Sequence, residues 1–148
     1  MQHRGHIELL ETAASLGDVL IVGVVDDESV FRYKGKRPVM PLDDRIRLVG
    51  ALRVVDKVVE HRLADREPTE DEQVHAWRQP CKAAEALVPW CPLMAEYVKD
   101  FAITIFVHGD DSAPQEYKGY GVPLVQIPYW QGVSTSGLLR EINERART

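Results

Sequence analysis

The spacing of apolar and polar positions changes several times along the chain. From Gly5 to Leu16, Ile7, Leu10, Ala13 and Ala14 recur on one side of a helix, and Gly17-Asp18 is a stop signal. Val19 to Val25 reads VLIVGVV, an unbroken apolar and β-branched run. That is the pattern of a strand buried on both faces, hence of a parallel sheet covered by helices. Asp26-Asp27-Glu28-Ser29 closes the run, and a polar, basic loop follows over Arg32 to Pro38. Pro41-Leu42-Asp43-Asp44 predicts a helix start, carried on by Arg45, Ile46, Leu48, Val49 and Leu52. Val54 to Glu60, Ile103 to Val107 and Val122 to Pro128 predict three further strands, and Ser136 to Arg145 a last helix. The stretch between His61 and Asp100 is less regular: an acidic segment over Ala64 to Glu72, helical pieces near Glu70–Ala76 and Cys81–Leu87 broken by Pro80, Pro89 and Pro92, and a turn or two at Ala95 to Lys99. Strands alternating with helices imply an open, mostly parallel α/β sheet. Ligands bind such sheets at the carboxyl ends of the strands. The polar clusters here all follow strands or begin helices, so they are expected to converge on one cleft.

Composition narrows this picture without changing it. A chain of 148 residues makes one domain with a core, and 45% hydrophobic with 28% charged residues is ordinary for a globular protein. The formal charge of −5 argues against a nucleic-acid surface, which needs clustered cations. It leaves room for a small anionic substrate in a local basic pocket. No apolar run reaches membrane-spanning length and no secretory signal is visible, so a cytoplasmic location is expected. Cys81 and Cys91, without a CxxC pattern, are expected to be reduced thiols.

The candidate chemistry begins at His3-Arg4-Gly5-His6. If Gly5 opens a helix, both imidazoles crowd its N-terminus, where unpaired N–H groups and the helix dipole suit a triphosphate. Histidines there can donate to phosphoryl oxygens while charge shifts during displacement at phosphorus. The plain alternative is a pair of solvated histidines.

Six segments in order carry a resemblance. They are His3-Arg4-Gly5-His6; Leu16-Gly17-Asp18 with Val19 to Val25 and Asp27; Lys34-Gly35-Lys36-Arg37-Pro38 with Pro41 to Arg45; Val55-Asp56-Lys57-Val58-Val59; Phe106-Val107-His108-Gly109-Asp110-Asp111; and Gly132-Val133-Ser134-Thr135-Ser136. Over nearly its whole length the chain resembles the cytidylyltransferase-like nucleotidyltransferases, with their HxGH, lysine-loop, V-x-GDD and Gly-x-Ser-Thr elements. The resemblance implies a Rossmann-like open, mostly parallel sheet with helices on both faces. It implies attack by a phosphomonoester on the α-phosphate of a nucleoside triphosphate, CTP or alternatively ATP on a sugar phosphate, with pyrophosphate leaving. His3 and His6 would donate to phosphate oxygens, and Lys34, with Lys36, would neutralise the α-phosphate or the incoming monoester. Arg45 would hold a phosphate, or else pair with Asp43 or Asp44 at the surface. Gly5 would belong to the nucleotide site. Gly132, Ser134 and Thr135 would meet the β- and γ-phosphates, or simply cap the last helix. Asp110, or Asp111 after it, would hold the base or ribose, or serve only as a turn. Mg2+ is expected on the triphosphate, held by phosphate oxygens and water, with no protein ligand set readable. Homodimers are common in the family; no interface is visible in the residues themselves.

Two departures stand out. Members begin with a strand ending in a Gly-x-Phe-Asp turn before the first histidine, whereas only Met1-Gln2 precede His3. The expectation is a single domain over residues 1–148, with the first strand missing relative to the family. That leaves open a non-catalytic nucleotide-binding relative or a fragment of a larger enzyme. Members also carry Arg-Thr where this chain has Tyr129-Trp130, residues that could stack on a base or pack against the sheet. His108-Gly109-Asp110-Asp111 resembles the enzymes using glycerol phosphate or phosphoethanolamine more than the heptose-phosphate adenylyltransferases. The 64–100 stretch, with Trp77, Arg78, Trp90 and both cysteines, could lid the acceptor site, form a dimer surface or be surface decoration.

Overall fold

A computed structural model of the chain describes residues 2–62, 92–110, 121–128, 130, 132 and 134–147. The elements are α1 (Arg4–Ala14), β1 (Ile21–Val25), α2 (Asp27–Lys34), α3 (Leu42–Gly50), β2 (Lys57–His61), α4 (Pro92–Asp100), β3 (Phe106–Gly109), β4 (Leu124–Ile127) and α5 (Thr135–Arg145). β1 pairs in parallel with β2, Ile21 opposite Lys57 and Val25 opposite His61. β3 pairs in parallel with β4, Phe106 opposite Leu124 and Gly109 opposite Ile127. The expected α/β architecture with parallel strands is present, described as two parallel pairs.

The β1–β2 pair is clamped at its entry by Asp56. Its carboxylate accepts from the Leu20 N–H at 2.7 Å, and its own N–H donates to the Leu20 carbonyl at 3.0 Å. At the exit, the Asp26 N–H donates to the His61 carbonyl at 2.9 Å. The second pair is tied the same way, Phe106 N–H to Pro123 O at 2.8 Å and Asp110 N–H to Ile127 O at 2.9 Å. Helix α3 packs on both β1 and β2, and α1 on β3. Tyr97 of α4 donates to the Glu60 carbonyl at 3.0 Å, and the Lys57 ammonium lies 3.9 Å from the centroid of the Phe101 ring.

Three readings are corrected. The run Val19 to Val25 is not buried on both faces: Val24 is buried, Gly23 is exposed and Val19 is 65% exposed. β1 is paired on one edge among the described residues, and its residues other than Val24 and Gly23 are half-buried. The basic loop expected from Arg32 begins instead inside a helix. Asp26 caps α2 by accepting from the Glu28 and Ser29 N–H groups, both at 2.9 Å, and Gly35 ends it in the left-handed region at φ 64°. The strands also start later than their apolar runs, at Ile21, Lys57, Phe106 and Leu124. The helical pieces predicted near Glu70–Ala76 and Cys81–Leu87, and the placement of both cysteines, lie outside the described residues.

A candidate anion site at the head of the first helix

His3 and His6 come together. His3 is the N-cap of α1, in extended backbone at φ −145°, and its ring lies 3.9 Å, centroid to centroid, from that of His6. The His6 N–H donates to the His3 carbonyl at 2.9 Å, while the His3 N–H donates back to His6 Nδ1 at 3.4 Å. This is the reaching-back contact that Glu makes in a capping box, here made by an imidazole. It has a chemical consequence: with Nδ1 accepting, neutral His6 carries its proton on Nε2. The Nδ1 of His3 is buried without a hydrogen-bond partner among the described residues. Burial, helped by the N-terminal ammonium, holds the His3 imidazole below its ordinary value and so in the neutral form.

Gly5 permits this crowding. A Cβ built there would stand 3.3 Å from two atoms of the His3 ring and 3.3 Å from the Trp130 Cβ. Trp130 therefore packs against the first turn of α1, with the Arg4 guanidinium 4.8 Å from its ring centroid, and keeps 40% of its surface exposed. These contacts are with helix α1, whereas the packing alternative read from the sequence was against the sheet; Tyr129 lies outside the described residues. Four residues on, Ser134 caps α5, its Oγ accepting from the Gly137 N–H at 3.1 Å, with half-buried Thr135 next. Four residues of chain span at most about 14 Å. The contact at Gly5 thus keeps the head of α5 within about that distance of Trp130, and Trp130 itself against the head of α1. Gly132, in that short connection, sits at φ 106°, a conformation L side chains rarely adopt.

The other candidates belong to other elements. Lys34 ends α2 and Lys36 follows Gly35. Both are exposed, and no hydrogen bond or ion pair among the described residues engages either side chain. Arg45 is largely committed to the fold. Its guanidinium donates to the Met40 carbonyl at 3.1 Å, to the Val25 carbonyl at 2.6 Å and to the Asp27 carboxylate, leaving the side chain 18% exposed. The acid partner is Asp27 rather than Asp43 or Asp44. Asp27 also accepts from the Leu42 N–H at 3.3 Å, so one carboxylate joins the start of α2 to the start of α3. Asp110 is exposed just past β3, and Asp111 lies outside the described residues.

Sequence reasoning missed a second cluster, at the carboxyl ends of the strands. Asp26 follows β1, His61 ends β2 and His108 lies in β3. Burial tends to raise Asp26, but the Ser29 hydroxyl, the Ser29 and Glu28 N–H groups and the Arg62 charge outweigh it, and the carboxyl titrates below its ordinary range. Burial holds His61 low, against the pull of Asp26 and with the help of His108. The available signal was a histidine directly after a β-branched strand, VDKVVEH.

Comparison with known proteins follows the same lines. The model of the cytidylyltransferase-like family matches residues 1–135. The bifunctional protein HldE of Aeromonas hydrophila is 34% identical over 150 residues, 97% of this chain and 26% of that protein. An ethanolamine-phosphate cytidylyltransferase of Arabidopsis thaliana is 34% identical over 146 residues, 94% of this chain and 29% of that protein. The chain thus spans about a quarter of the length of these curated relatives. The lipopolysaccharide core biosynthesis protein of Thermoplasma volcanium shares the fold, with a TM-score of 0.61 at 24% identity over 88% of this chain and 90% of that one.

Proposed function

This chain belongs to the cytidylyltransferase-like family, and from that premise we propose that it is a nucleotidyltransferase moving a nucleoside monophosphate onto a phosphorylated alcohol or sugar. CTP is the preferred donor in this reading and ATP the alternative. An oxygen of the phosphomonoester attacks the α-phosphorus, the bond from that phosphorus to the bridging oxygen of the β-phosphate breaks, and pyrophosphate carries that oxygen away. The observation that supports this most directly is the His3–His6 pair at the head of α1. A neutral His6 with its proton on Nε2 is a ready donor to an oxygen gaining charge, and the backbone N–H groups beside it add a fixed positive field. Ser134 and Thr135 serve the outer phosphates from the head of α5. Lys34 and Lys36 supply mobile cations to the α-phosphate or the monoester, and Asp110 a hydrogen-bond acceptor for base or ribose. Arg45 acts through position, by holding α3 and the end of β1 together.

Magnesium belongs to the triphosphate here, where it neutralises charge. Among the described residues no group of three His, Cys, Asp or Glu side chains could hold a metal ion. The relative named for ethanolamine phosphate favours a small phosphorylated alcohol as acceptor and CTP as donor. Pyrophosphate release, measured with CTP or ATP against a panel of phosphomonoesters, tests the reaction. His6→Ala is expected to lower turnover by about a hundredfold, the scale of losing one transition-state donor. Near wild-type turnover would remove His6 from the mechanism. Nucleotide binding without turnover for every pair would make the protein a binder.

A further inference from the structure

His61 belongs to none of the motifs that carry the family resemblance. It is the last residue of β2, opposite Val25, at the end of the parallel pair where substrates approach. Its side chain lies alongside Gly23 of β1: a Cβ there would stand 3.5 Å from the His61 Cβ and 3.9 Å from its Cγ. The ring's Nδ1 is buried and has no hydrogen-bond partner among the described residues.

The groups facing it leave that nitrogen unused. From the head of α2, Asp26 turns its carboxylate onto its own helix, accepting from the Glu28 and Ser29 N–H groups and the Ser29 hydroxyl. From β3, His108 engages the Gly109 carbonyl through its Nδ1 at 3.2 Å. Arg62 beside it pairs with Glu60 at 2.8 Å, and Tyr97 of α4 donates to the Glu60 carbonyl. The Asp26 N–H binds the His61 carbonyl at 2.9 Å, which fixes this residue at the N-terminal, electropositive end of the eight-residue α2. Buried polar atoms in native proteins are rarely left unmet, and a ligand is one way to meet them.

We propose that His61 is a substrate-binding residue whose ring, with Nδ1 enclosed as it stands, turns past the side-chain-free Gly23 to present Nδ1–H to a phosphoryl oxygen at the carboxyl ends of β1 and β2. The inference rests on the reading that the substrates are phosphorylated. The oxygen comes from the phosphomonoester or from the nucleoside triphosphate.

Protein labelled with 15N-histidine is titrated separately with inorganic phosphate, glycerol phosphate and CTP while the His61 ring nitrogens are followed. A shift at Nδ1 supports the proposal, and the arm producing it identifies the source. A silent His61 while His6 responds overturns it. His61→Phe should raise the KM of the responding substrate about tenfold, the scale of one hydrogen bond to a charged group, and leave that of the other unchanged. His61→Asn, whose amide nitrogen lies where Nδ1 lies, should restore it, and His61→Gln should not. Equal losses in Phe and Asn variants that melt like the wild type would also overturn it. If His61→Phe fails to fold, the titration of the native protein decides. Pyrophosphate release with an unresponsive His61 defeats this inference alone. A His61 response to inorganic phosphate, without release from any pair of substrates, defeats the proposed reaction and leaves the site.

Discussion

His3, Gly5 and His6 depend on one another at atomic range. The His3 imidazole would have to shift if position 5 had a side chain, because the first atom of that side chain would press on its ring and on Trp130. Gly5→Ala sets two effects against each other. Alanine favours helical backbone over glycine by at most about 1 kcal/mol, and by less in the first turn where position 5 lies, while its methyl displaces the His3 ring by a few tenths of an ångström. The ring is only half-buried and can yield, so the melting temperature is expected to hold or rise. Turnover is expected to fall roughly tenfold, because a positioned donor loses its alignment. Thermal melting and steady-state rates on the same preparation check this, and a fall in stability with unchanged turnover would contradict it. Much of this residue-level site was legible in the sequence, because His-x-Gly-His names its members by identity and spacing. The partner of Arg45 was not. Three local acids compete for one guanidinium, and the fold selects Asp27 because that carboxylate also caps α3.

At the scale of elements, the heads of helices recur as the places where the candidate residues gather, and Asp26 shows what holds one together. It accepts from two backbone N–H groups and one hydroxyl, and its own N–H ties β2 to α2. Asp26→Ala is expected to lower unfolding stability by about 1–2 kcal/mol, the usual loss for a helix cap, and Asp26→Asn by less. Denaturant unfolding measures both, and an unaltered midpoint for Ala would show the cap to be dispensable. Helix α2 was hidden in the sequence because its charged residues obscured any apolar stripe. The legible sign was Asp26 three residues before Ser29, a capping arrangement, with Gly35 to end the helix. The strands were found from their β-branched runs but placed too early, since the flanking apolar residues Val19 and Val54 satisfy the pattern without joining the ladder.

Over the whole molecule, the described core is thin. Ala13 and Val24 are its buried apolar residues and Ser29 its buried polar one, and no large side chain is fully enclosed among the described residues. Titration therefore matters to stability. His3 and His61 both lie below the ordinary imidazole value of 6.5, so the folded chain holds them neutral. As pH falls through 6.5 the unfolded chain takes up protons first. Their contribution is complete above that value and is lost on the way down to the folded value. Asp26 acts later: its contribution is present above 3.8 and is lost below it. Melting temperature is expected to fall between pH 7.5 and 5.5, and His61→Asn to flatten part of that slope; identical slopes would exclude His61 as a source. The parallel α/β arrangement was legible from the order of runs. The division into two strand pairs was not, because pairing partners are set by tertiary packing. One contact spans nearly the full length of the chain, from Arg4 to Trp130. The indole there is half in solvent beside a cation, so its emission becomes an optical gauge of whether the two ends of the polypeptide are seated together. With Trp77 and Trp90 replaced by phenylalanine, a spectrometer alone can follow an anion that draws the guanidinium away.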